Sequence, residues 1–230
     1  MGVRLQKFKK RLLWGGGTFL VIALGGVGAA IYTITRPFDA EFAQQPNAVE
    51  AHEANRKLKL LNDAQSAEKR GFVRFSEVEI NSFLEGRYNA TKEAQTNGPV
   101  KLVKSGVLLG SDKITFVTWH EAVIFGMNLP IVWQRAVSPA QTTNGWSFTV
   151  ASMRVGNLDV PEQYWGHVEK FLGTGDALFE DRKAWLKSLP LVTLGHNELS
   201  KSPEFRLYTY VPTEKAKTAN PSERNVFPQN

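Results

Sequence analysis

From Val100 to Gly156 apolar side chains tend to recur at every second position, and that period limits the fold more than any other feature of the chain. Side chains alternate faces along a strand, whereas a helix repeats every three to four residues. The blocks VKLVKSGVLLG, KITFVTWHEAVIFG, LPIVWQRAV and GWSFTVASMRVG are rich in Val, Ile, Phe, Trp and Thr, the residues strands favour. Between them lie GSDK and TTNG, whose Gly, Asn and Asp suit tight turns. Parallel neighbours need a crossover of a dozen or more residues, so connections this short predict an antiparallel meander. In the second block Ile114, Phe116 and Ile124 alternate with Val117, Trp119 and Val123. Both faces are apolar, which predicts a central strand covered on both sides.

The flanking segments change period. In NAVEAHEANRKLKLLNDAQSAEKRG, Val49, Ala54, Leu58 and Leu61 stand at helical spacing, and Gly71 follows Lys69 and Arg70 as a stop. The apolar stripe is thin, which predicts a polar surface helix or a stalk. In FVRFSEVEINSFLEGRY a short extended piece precedes a helix that opens with a capping box. Ser76 accepts from the amide of Glu79, and Glu79 reaches back to the amide of Ser76. Glu77 and Glu79 also sit where the helix dipole favours negative charge. The stripe Ile80, Phe83 and Leu84 faces inward, with Asn81 at its edge. The two acids therefore do not converge on one pocket, and capping is preferred to a catalytic pair.

Beyond the meander, RVGNLDVPEQYWGHVEKFLG turns strand into helix, with Pro161 in the first turn and Val168, Phe171 and Leu172 as its apolar face. A second helix over DALFEDRKAWLKSLP stops at Pro190, and LVTLG and EFRLYTYV return as strands. Pro212 to Asn230 is rich in Pro, Asn, Lys, Ser and Thr and reads as a solvated tail.

At the other end, Trp14 to Ile34 is a run without charge, long enough at 1.5 Å per residue to cross roughly 30 Å of hydrocarbon. Trp14 and Tyr32 stand near its ends, where amphipathic rings favour the membrane interface. Arg4, Lys7, Lys9, Lys10 and Arg11 precede it, which places the N-terminus in the cytoplasm and the rest of the chain outside. Small residues at Val27-Gly28-Ala29 offer a rival reading, a cleaved signal peptide, but the apolar run continues past them. Gly25 with Ala29, and Gly26 with Ala30, form small-xxx-small pairs that would let two such helices approach closely.

The formal charge of +6 owes five positives to the leader, leaving 23 basic against 22 acidic residues elsewhere. That near balance argues against a nucleic-acid partner. The chain has no Cys, which removes disulfides and thiolate chemistry. The four His, at 52, 120, 167 and 196, have no metal-ligand spacing, and His120 reads as a packed strand residue. No phosphate loop, dinucleotide fingerprint or nucleophile elbow occurs. These absences predict a non-enzymatic protein without cofactor or metal.

In order, then, the chain carries an anchor, FSEVEINSFL, a strand meander, VGNLDVPEQYWGHVEKFL and LPLVTLGHNELSKSPEFRLYTYV. This succession resembles the YpmS-like membrane-anchored envelope proteins of bacteria and, more distantly, the tubular lipid-binding superfamily. The resemblance covers residues 72–211. It rests on an acidic-x-acidic-x-Asn helix entry, Glu77, Glu79 and Asn81, and on a G-x-L-x-x-P turn, Gly156, Leu158 and Pro161. It implies a curved antiparallel sheet wrapped around helices, with an apolar groove for lipid in some relatives.

The expected organisation is a basic cytoplasmic leader at 1–13, a transmembrane helix at 14–35, a polar helical stalk at 36–71, an α+β extracytoplasmic domain at 72–211 and a flexible tail at 212–230. The expected location is the bacterial inner membrane, crossed once. Two functions fit: binding of lipid or another apolar ligand, or service as an accessory subunit of a membrane complex, docking through the anchor and exposed helices.

Overall fold

The computed structural model describes residues 28–29, 32–36, 42, 44–91, 100–124, 126–142, 145–172 and 185–212. Most of the expected anchor, including Trp14, Gly25, Gly26 and Ala30, lies outside them, as does the tail beyond Pro212. Residues 28–29 and 32–35 are helical, with Ala29 and Tyr32 exposed. Among the described residues no helix is long and apolar enough to cross a membrane.

The meander forms as the alternation predicts. Strands β2 (Val100–Leu109), β3 (Ile114–Ile124), β4 (Met127–Thr142) and β5 (Gly145–Val155) pair in that order, all antiparallel, with β6 (Leu158–Asp159) closing one edge. Two register shifts shape the sheet. In β2 the pairing with β3 jumps from Leu102 to Lys104, and in β5 the pairing with β4 jumps from Ser152 to Val150. Each shift inserts one residue and reverses the parity of the rest of the strand. Val100, Leu102, Ser105, Val107 and Leu109 thereby share one face, as do Trp146, Phe148, Val150, Met153 and Val155. Without the extra residue at 151, Ser152 and Arg154 would share the face that Phe148 and Val150 occupy.

Strand β4 tolerates two prolines because each sits where it has a single neighbour. Pro130 pairs with Glu121 of β3 in a stretch that β5 does not reach. Pro139 pairs with Phe148 of β5 beyond the end of β3. A proline cannot donate to a ladder, so it is confined to such edges.

The remaining strands do not join the meander. β1 (Phe72–Phe75), β7 (Leu191–His196) and β8 (Pro203–Tyr208) make a separate three-stranded antiparallel sheet in the order β1-β8-β7. The single curved sheet expected is thus two sheets within an α+β fold. Helices α1 (Ala48–Ser66) and α2 (Glu77–Thr91) pack against each other, α1 also on β1 and α2 on β2 and β8, while the two sheets meet directly through β7 and β8. A 3-10 turn (Glu162–Tyr164) leads into helix α3 (Trp165–Leu172), and residues 185–188 form a further helical turn.

Helix α1 departs from expectation. Although its stripe is thin, Ala54 and Leu61 are buried in a common core with Phe75, Phe83 and Leu207. It is part of the domain rather than a stalk leading to it. Its N-cap, Asn47, accepts from Glu50 N–H at 3.0 Å and donates its own N–H to Ser82 Oγ of α2 at 3.0 Å. The cap that starts one helix therefore fixes it to the next.

Candidate functional site

The capping box at the start of α2 is present. Ser76 N–H donates to Glu79 Oε2 at 2.8 Å, and Glu79 N–H donates to Ser76 Oγ at 3.3 Å. The other contacts of the Glu-x-Glu-x-Asn motif reach further. Asn81 Nδ2 donates to the carbonyl of Val107 at 2.9 Å, and Val107 N–H donates to Asn81 Oδ1 at 2.6 Å. Two residues on, Leu109 N–H donates to Glu77 Oε2 at 3.0 Å. β2 is an edge strand, so these backbone groups face away from β3 and would otherwise lack partners. Asn81 supplies the donor and acceptor that a neighbouring strand would supply. Glu77 and Asn81 are four residues apart, hence on one helix face.

Glu79, between them in sequence, turns to the other side. It is buried and ion-paired with Lys57 of α1, whose ammonium also donates to the carbonyl of Arg74 at 2.9 Å. The two acids thus serve different elements, Glu77 the sheet edge and Glu79 helix α1. Glu77 does more than the dipole role expected of it.

The second motif is a junction. Gly156 has φ +55 and donates its N–H to Val132 O at 2.7 Å. A Cβ there would meet the carbonyl oxygens of Thr33 and Ile34, so glycine is required on both counts. Leu158 is exposed in β6, and Pro161 is the N-cap of the 3-10 turn, with φ −59 and ψ 143. His120 is buried on β3, 2.9 Å from Thr118 Oγ1, and loss of solvation holds its pKa down at about 4.

Of these residues only Val107 lines the apolar cavity found among the described residues. That cavity has a volume of about 370 Å³ and lies between the two sheets, under α1 and α2. The meander contributes Val107, Ile114, Phe116, Val137, Trp146 and Phe148; the opposite wall has Leu58, Phe75, Ile80, Phe83, Phe205 and Leu207. Trp146 and Phe148 meet edge to face at 4.9 Å, and Phe148 meets Phe116 likewise at 6.4 Å. Trp146 Nε1 donates to Leu186 O at 3.0 Å, which holds the 185–188 turn against the sheet.

Polar groups at the cavity are few. Arg135 reaches it from β4 and pairs with Glu169 of α3 at 3.2 Å. Ser147 and Lys187, both exposed, mark its solvent side. The indole N–H of Trp185 is buried there without a hydrogen-bond partner. Among the described residues no three His, Asp or Glu side chains stand close enough to hold a metal ion. The arrangement can hold a small apolar body and offer it one indole donor.

The resemblance implied an apolar groove, but sequence reasoning named none of the side chains that line this cavity as a site, Val107 and Trp146 included. Its aromatic walls were legible as strand and helix residues, but the gap between them depends on how far apart the layers stand. The chain matches no protein-family model, no curated protein and no solved structure.

Proposed function

We propose that this chain is a membrane-anchored cell-envelope protein that binds an apolar ligand, lipid included, between its two sheets, without catalysing a reaction. The observation that carries this reading is the apolar cavity of about 370 Å³. Ligand pockets range over ~300–1,000 Å³, so this one suits a single alkyl chain or a small ring system. The anchor and the outside location rest on the uncharged run Trp14–Ile34 and the five positives before it.

The accessory-subunit reading draws less support. It calls for a filled core and an exposed apolar stripe on residues 47–70 or around Trp165. On α1, Ala54 and Leu61 are buried and Val49 is the one exposed large apolar side chain. Trp165 packs on the cluster that holds Trp133 and Met153, its Nε1 donating to Val160 O at 2.7 Å, although Leu158 and Tyr164 beside it are exposed.

Native mass spectrometry of the full chain, released from mild detergent, tests the proposal. The wild type is expected to retain a small apolar adduct. Leu58→Trp, which fills the cavity from α1, is expected to lose the adduct while keeping the unfolding midpoint. Absence of any adduct from the wild type, or equal retention by both proteins, would overturn it.

A further inference from the structure

We infer that the end of the five-stranded sheet carrying the β3–β4 hairpin rests directly on the lipid bilayer, with Val123, Met127, Leu158 and Tyr164 in its interfacial layer. This contact is distinct from ligand binding, and its orientation rests on the anchor reading above.

The anchor ends at the domain itself. The uncharged run extends to Ile34, yet Thr33 and Ile34 already belong to the domain. Asn157 N–H donates to Thr33 O at 3.2 Å, and Ile34 packs against the cluster that holds Trp133, Met153 and Val155. A few residues upstream the contact has ended: Gly28 has no atom within 4 Å of the position a Cβ would take, and Tyr32 is 65% exposed. A helix rises only ~1.5 Å per residue, so a membrane span ending here leaves no linker between bilayer and fold. The β5–β6 turn at Gly156 must lie at the membrane surface.

Exposed apolar groups gather at that same end. β5 stops at Val155, opposite Trp133, while β4 continues back through Val132 to Met127 with β3 beside it. The hairpin therefore extends roughly 15–20 Å past the turn at Gly156, at about 3.3 Å per residue, so turn and tip share the interfacial layer with these strands lying along the bilayer plane rather than pointing into it. Its tip is apolar in sequence, Val123-Ile124-Phe125-Gly126-Met127, and Val123 and Met127 are 60% and 55% exposed. Leu158 in the turn and Tyr164 just beyond it are exposed as well. The connections at the opposite end, Ser111-Asp112-Lys113 and Thr142-Thr143-Asn144-Gly145, are polar. Apolar groups clustered beside the anchor, with an aromatic ring among them, match a bilayer interface.

The chain contains no Cys, so single-cysteine labels can be placed without background. The full chain would be reconstituted in lipid-only nanodiscs with a polarity-sensitive fluorophore at Met127→Cys, Leu158→Cys, Leu24→Cys or Leu199→Cys. Leu199, 96% exposed on the β7–β8 connection, is the aqueous reference. Labels at 127 and 158 are expected to emit to the blue of the label at 199 and to resist aqueous iodide quenching. If Leu24→Cys is shielded while 127 and 158 match 199, the bilayer contact is overturned and the anchor stands; a protein would then be the partner of this rim. If Leu24→Cys is itself aqueous, the anchor reading fails and the inference falls with it.

Discussion

The inner face of the five-stranded sheet is one surface with two fates. Toward the β3–β4 hairpin it is filled: Ala122, Ile131, Trp133, Met153 and Val155 form a cluster against which Ile34, Val160, Trp165 and Val168 pack. Toward the opposite end Val107, Ile114, Phe116, Val137 and Phe148 face an open volume of about 370 Å³. The strands are the same, so the difference lies in what covers them. The filled half is covered by α3, which succeeds β5 after a two-residue strand and one turn and so lies close. The hollow half is roofed by α1, α2, β1 and β8, drawn from distant parts of the chain. Their height is set by polar pins. Asn81 and Glu77 hold α2 at the edge of β2, Lys57 and Glu79 hold α1 to α2, and Trp146 holds Leu186. A roof fixed by directional bonds cannot sink to fill the space beneath it.

Truncation in the filled half should do the most damage. Trp133 is fully buried, and Trp133→Ala is expected to cost about 3–5 kcal/mol, read as a lowered midpoint in chemical denaturation. Phe116→Ala, at the wall of the existing void, should cost clearly less and instead change ligand retention. Equal losses of stability would mean that the two halves are packed alike.

Acid should act on the filled half next. His120 is neutral when folded, its pKa depressed to about 4 by burial, against about 6.5 when unfolded. Between these values the unfolded chain binds more protons, so stability is full above pH ~6.5 and falls as the pH drops toward 4. The shift corresponds to roughly 3 kcal/mol at its limit. His120→Gln should flatten that part of the stability–pH curve; an unchanged slope would count against the assignment.

The roof pins come third. Asn81→Ala leaves the N–H and carbonyl of Val107 without partners in a buried place, a loss of about 2–3 kcal/mol. Its particular signature is early hydrogen exchange at Val107 and, on the proposed binding, loss of the apolar adduct before global unfolding.

The smallest effects separate cap from pin at the start of α2. Ser76→Ala should cost about 1 kcal/mol. Glu77→Gln, which keeps an acceptor for Leu109 N–H, should stay within ~0.5 kcal/mol, whereas Glu77→Ala should cost more than Glu77→Gln. Denaturation midpoints would order the three. If Glu77→Gln removed cellular function at unchanged stability, the structural account of this motif would be wrong.

What the sequence determined by itself is whatever short range decides. The strands β2 to β5 arise from period two and brief polar turns, and the Ser76–Glu79 box closes over three residues. The glycine at 156 was visible as part of a turn, and its second reason, the close approach of Thr33 and Ile34, was not. Tertiary structure alone decided the rest. The thin stripe of α1 suggested a stalk because two buried residues, Ala54 and Leu61, carry little pattern, yet they suffice once α2 lies alongside. Asn81 meets Val107 across 26 positions, and no local period records that partner. The split into two sheets, and the gap between layers that makes the cavity, depend on pairing and spacing between segments far apart in the chain. Side-chain chemistry fixes what each face can bury; only the assembled layers fix how far apart those faces come to rest.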